Sequence, residues 1–129
     1  MLSTVADLQT WARALAAGTL LSSAVQRQRL LVGPALGPFA PLPGTQGQAQ
    51  LPFRYGLGIS NVGGLLGYSG VAPGYTSDMF CLPARKATII VLANGYNEQF
   101  QASAGEPVSD AAAVSIAQIV LPGALTTRG

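Results

Sequence analysis

Apolar positions along the chain change period twice: helical spacing first, then alternation, then helical spacing again. Residues 3–17 predict an amphipathic helix. Thr4 is its N-cap and Asp7, three residues on, completes a capping-box pattern. Leu8, Trp11, Ala12 and Leu15 follow as one apolar stripe, with Trp11 read as core packing, and Gly18 fits the stop. A second helix is expected over Ser23–Leu31, with Ser23 and Gln26 at cap and N3 spacing and Gly33-Pro34 ending it. Residues 33–52 hold five of the nine prolines and four glycines. That composition suits neither a regular helix nor a central strand, so a long loop is expected, acting as a lid or a passive connector.

From Phe53 the period becomes two. Phe53, Tyr55, Leu57 and Ile59 alternate with Arg54, Gly56, Gly58 and Ser60, which predicts one strand. Asn61-Val62-Gly63-Gly64 supplies a hairpin turn, Leu65–Gly70 a second strand, and Pro73-Gly74 a type II turn. Tyr75–Leu82 is the third strand. Ala87–Asn94 is the fourth, apolar on both faces and therefore expected in the middle of the sheet. Residues 95–108 predict a loop. Ser109–Leu121 predicts a last helix capped by Ser109 and stopped by Pro122, with Ala113, Ile116, Ala117 and Val120 as its apolar stripe; residues 123–129 are expected to fray. Two helices, an antiparallel meander of about four strands and one C-terminal helix make an α+β fold.

Composition narrows the function. At 129 residues the chain suits one domain with a real core. It is 49% hydrophobic and only 9% charged, against about a quarter charged in ordinary soluble domains. The low charge argues against intrinsic disorder, and some apolar surface is expected to meet a partner. The net charge is +2, with no basic cluster beyond Arg27 with Arg29 and Arg85 with Lys86. Nucleic-acid binding needs a basic stripe and is set aside. With no histidine, a Ser-His or Cys-His pair within the chain is excluded. The single cysteine, Cys81, excludes an internal disulfide and a CxxC zinc site, so neither metal nor cofactor is expected. No run reaches the roughly 18 apolar residues of a membrane span, and the start MLSTVADLQT reads as a helix rather than a signal peptide.

Several pieces occur together in one order: Ser3-Thr4 through Trp11, Tyr55–Ile59, Gly67-Tyr68-Ser69-Gly70, Pro73-Gly74-Tyr75 with Ser77, and Ala87–Gly95. This ordered set resembles the C-terminal part of the serine β-lactamase and D-alanyl-D-alanine-peptidase (penicillin-binding-protein-like) family, especially its class C β-lactamase-like and esterase-like branch. The resemblance implies an acyl-enzyme hydrolase acting on an ester, a β-lactam or a D-Ala-D-Ala-type amide. It also implies export to the cell envelope or medium, where a small-molecule or peptidoglycan-like substrate would be met. In such enzymes Ser-x-x-Lys carries the nucleophile, Tyr-x-Asn shuttles a proton, and Lys/His-Thr/Ser-Gly lies on a strand beside them. By resemblance, Tyr68-Ser69-Gly70 takes the third position. Ser69 would bind or polarise substrate, Gly70 would let it lie close, and the Val71 N–H would donate to the oxyanion.

The departures are specific. Tyr68 stands where the family has a lysine or histidine, and tyrosine is neutral near pH 7. The only lysine is Lys86, with Pro83 three residues before it, so Ser-x-x-Lys is missing. The third positions after the tyrosines are Leu57, Gly70, Ser77 and Glu98, so Tyr-x-Asn is missing too. No catalytic residue is expected within this chain. It reads as the C-terminal portion of a serine hydrolase, inactive alone and completed by an N-terminal segment; a non-catalytic binding or assembly module on the same fold is the alternative. An unpaired sheet edge predicts self-association. Elsewhere the plain readings hold: Cys81 is expected to be buried and inert, with no base or cation near it. Asp78 is expected to pair at the surface with Arg85 or Lys86, and Asp110 to complement a helix dipole. Tyr96 and Asn97 are read as polar loop.

Overall fold

The computed structural model describes residues 2–39, 51–95 and 108–125, and is α+β. Its helices are α1 (Val5–Ala17), α2 (Ser23–Arg29) and α3 (Val108–Val120). Six strands form one sheet: β1 (Gly37–Phe39), β2 (Leu51–Tyr55), β3 (Ser60–Val62), β4 (Leu65–Ala72), β5 (Tyr75–Leu82) and β6 (Ala87–Ala93). They lie in chain order, each antiparallel to the next. The meander is as predicted; the strand count is higher for two physical reasons. The alternating run 53–60 conceals a turn, in which the Gly56 N–H donates to the Ile59 carbonyl at 2.8 Å and divides the run into β2 and β3. The proline-rich segment also contributes β1, where Pro38 lies opposite Pro52 at the rim of the sheet, the place where a missing N–H costs least. Residues 40–50 of that segment lie outside the described residues.

α1 starts as its sequence dictates. Thr4 Oγ1 accepts from the Asp7 N–H at 3.2 Å, and Asp7 Oδ2 accepts from the Thr4 N–H at 2.9 Å. The N-cap of α2 is Ser22 rather than Ser23, and accepts from the Val25 N–H. Gln26 is buried instead, and its Nε2 donates to the Leu15 carbonyl at 3.2 Å. That bond satisfies an end carbonyl of α1 and clamps α2 against it. Between β3 and β4 the chain reverses through Gly63 (φ 57°) and Gly64 (φ 99°), the positive pair a type I′ turn requires.

The sheet is covered on both sides. Leu51, Val62, Leu65, Phe80, Leu82 and Ile89 form a core with Ala113, Val114 and Ala117 of α3. Cys81, Leu66 and Met79 point the other way, onto Ala12 and Ala16 of α1. Strand alternation therefore sorts β5 cleanly: Phe80 and Leu82 toward α3, Met79 and Cys81 toward α1. β6 is not central but outermost among the described strands. It is apolar on both faces because α1 and α3 each touch it. Three expectations for the C-terminal region are corrected. Ser109 lies inside the first turn of α3 and is buried, because Val108 is already helical. The face of α3 on the sheet is Ala113, Val114 and Ala117, whose small side chains admit close approach, while Ile116 and Val120 are exposed. Ala124 and Leu125 pack against the core rather than fray; residues 126–129, like Tyr96 and Asn97, lie outside the described residues. Asp110 sits in the first turn of α3 as expected, although buried.

Candidate active-site cleft

Two-residue turns close both hairpins that contain β4, at Gly63-Gly64 and at Pro73-Gly74. Residues flanking such a turn exchange both backbone hydrogen bonds, and along an antiparallel ladder such pairs alternate with unbonded ones. Counted from Val62 opposite Leu65, odd positions of β4 direct N–H and C=O toward β3. Counted from Ala72 opposite Tyr75, even positions direct theirs toward β5. β3 pairs with β4 only over Leu65–Gly67. Beyond Gly67 β4 has no strand neighbour on the β3 side among the described residues, and the N–H and C=O of Ser69 and Val71 face that open side.

A cleft of about 340 Å³ lies along this stretch. Tyr68 and Gly70 of β4, with Ser77 and Met79 of β5, border it from the sheet; Leu8, Trp11 and Leu15 border it from α1. Arg29, in the last turn of α2, also lines it. Tyr68 is 48% exposed and Trp11 49% exposed. Trp11 is thus not core packing. At its helical angle it flanks Ala12, which carries the contact with the sheet, and so the indole borders the cleft. The tyrosine rings of Tyr55 and Tyr68 meet edge to face, centroids 6.1 Å apart. The hydrogen bond to the Tyr68 hydroxyl holds the Tyr55 phenol above its ordinary pKa, and burial and the neighbouring phenol act in the same direction.

Ser69 behaves differently from its neighbours. Its side chain alternates to the α3 side of the sheet, opposite Asp78 in the register. There Ser69 Oγ donates to Asp78 Oδ1 at 2.7 Å. Asp78 is only 1% exposed, which corrects the expectation of a solvated pair with Arg85 or Lys86. Alternation on β5 turns its side chain inward, away from the turn that carries the cations. Its second oxygen, Oδ2, has no hydrogen-bond partner among the described residues. Of the three residues at the sequence-predicted site, Tyr68 and Gly70 line the cleft and Ser69 turns its hydroxyl to the opposite face. Val71 is exposed at the open side. Arg29 and Trp11 were not singled out for this site by sequence. The signal available was their helical position alone, which gives a face but not the element across from it. Cys81 is buried as expected, but Arg13 and Lys86 line the same cavity, so cations are near it after all.

A family model described as beta-lactamase matches residues 1–113, and the chain belongs to that family. The family match points to a serine-hydrolase-like fold. A search of curated proteins returns no match. Among the described residues no helix is long and apolar enough to cross a membrane.

Proposed function

We propose that this chain is the C-terminal portion of a β-lactamase-like serine hydrolase of the class C-like, esterase-like branch, and that it forms the substrate-side wall of the active site. The nucleophilic serine, its lysine and the tyrosine shuttle belong to polypeptide outside the 129 residues, since neither Ser-x-x-Lys nor Tyr-x-Asn occurs within them. A serine there attacks an ester, β-lactam or D-Ala-D-Ala-type amide carbonyl and forms an acyl-enzyme that water then hydrolyses.

The observation that carries this reading is the open side of β4 beyond Gly67, which runs beside the cleft. An acyl group laid there meets the Val71 N–H as an oxyanion donor, and Gly70 presents no side chain to hold it off. Tyr68 offers a hydroxyl proton in place of the family's cation, and Arg29 supplies the positive charge at the cleft. Asp78 keeps the Ser69 hydroxyl engaged and fixes the strand in place, so Tyr68-Ser69-Gly70 acts through the Tyr68 phenol and the backbone. Alone, the chain is expected to be inactive. Assays with a chromogenic cephalosporin and a reporter ester on the purified 129-residue chain check this: rates should equal those of a Ser69→Ala control. Hydrolysis well above that control would place the nucleophile inside the chain and overturn the assignment.

A further inference from the structure

α1 crosses the sheet with a cavity on each flank. At 100° per residue, Leu8, Trp11 and Leu15 fall on one side of Ala12, and Arg13, Ala16 and Ala17 on the other. On that second side a cavity of about 450 Å³ opens between α1 and the turn that follows β5. Ala16, Ala17, Cys81 and Pro83 make its walls; Arg13 and Lys86 stand at its rim. Among the described residues the lining holds two cations and no carboxylate. In a chain with only seven basic residues, two at one cavity leave a marked local excess of positive charge. Low-dielectric walls beside that charge strengthen its attraction for an anion, and the apolar walls reward a hydrocarbon body. Arg13 reaches the rim from the helix. Lys86 reaches it from a left-handed backbone, φ 52°, the conformation of the residue that closes the 3-10 turn Pro83–Arg85.

We propose that this cavity binds an aliphatic carboxylate, with the carboxylate between Arg13 and Lys86 and the alkyl chain against Ala16, Ala17, Cys81 and Pro83. No nucleophile is required, so the site stands or falls apart from the hydrolase reading. A reporter is built in: Cys81 is the only cysteine of the chain and forms part of the wall. The experiment measures the rate of Cys81 alkylation by N-ethylmaleimide in the whole chain, with octanoate or with neutral 1-octanol as the probe. Octanoate should slow the reaction saturably, half-protecting at a concentration about tenfold below that of 1-octanol, the ratio that one charge-assisted contact supplies. Arg13→Gln and Lys86→Asn should each erase most of that tenfold preference and leave 1-octanol unaffected. Asparagine is chosen because it tolerates a left-handed backbone, and Arg13→Lys should retain the preference. Calorimetric titration of the same variants with octanoate gives the ranking independently of thiol access. Trp11, the only tryptophan, stands on the other flank of α1, and its emission should not follow the octanoate titration. Equal protection by the two probes, no saturable binding by either readout, or a Trp11 response that tracks the protection would each overturn the proposal.

Discussion

At the scale of single residues, Ser69 and Asp78 carry the strongest constraint on the candidate site. A carboxylate that is 1% exposed is costly unless it is hydrogen-bonded, and the 2.7 Å bond from Ser69 is the one found for it among the described residues. Removing the hydroxyl strands the carboxylate. Ser69→Ala should therefore lower stability by about 2 kcal/mol or more, whereas Asp78→Asn, which still accepts the bond and carries no charge, should cost less. Urea denaturation of the two variants checks the order; the reverse order would show that the pair is not what holds β4 at this point. Gly67 is a second constraint. A Cβ there would collide with the Met79 carbonyl oxygen on β5, so even alanine is excluded without parting the strands. The side of the sheet faced by each β4 and β5 residue is legible from alternation alone. What covers each side is not, because that depends on where α1 and α3 land. Sequence alone therefore puts Trp11 in the core and Asp78 at the surface, and the structure reverses both.

At the scale of elements, local chemistry dictates the start of α1 and the β3–β4 reversal, and both are legible in sequence. The capping box of α1 rests on an ionised Asp7. Hydrogen bonds from the Thr4 hydroxyl and then the Thr4 N–H lower its pKa below the ordinary value of 3.8, and slight desolvation opposes them. A folded pKa below the unfolded one contributes stability that is present above the unfolded value. That contribution is lost as pH falls through the folded value. Acid titration followed by far-UV circular dichroism should lose part of the helical signal in that range. Asp7→Asn should remove this limb, and Thr4→Ala should cost about 1 kcal/mol at neutral pH. An unchanged acid limb in Asp7→Asn would assign it to another group. Less of the β1–β3 region is legible. The alternation of Phe53 through Ile59 continues across the Gly56–Ile59 turn, so periodicity alone cannot divide β2 from β3. The helical period of α3 likewise offers two apolar faces, and the sheet selects the one built from alanine.

At the scale of the molecule, the sheet ends in strands that lack an outer neighbour among the described residues. One of these, β6, is apolar on both faces, and its Leu92 is exposed. Such an edge templates pairing with another chain. Light scattering at increasing concentration should show self-association, and Leu92→Lys should weaken it; a monomer at all concentrations would contradict the assignment of β6 as a free edge. The same reasoning applied to the inner edge of β4 gives the functional account, because a strand open beside a cleft is where an acyl group can lie against backbone donors. That account places the reactive serine elsewhere. The direct test is mass spectrometry of the longest product of the gene after trapping with a slowly deacylated β-lactam or ester, followed by peptide mapping of the adduct. The adduct is predicted on a serine that precedes the residue numbered Met1 here, within a Ser-x-x-Lys sequence. An adduct on Ser69, or on any serine among these 129 residues, would contradict it.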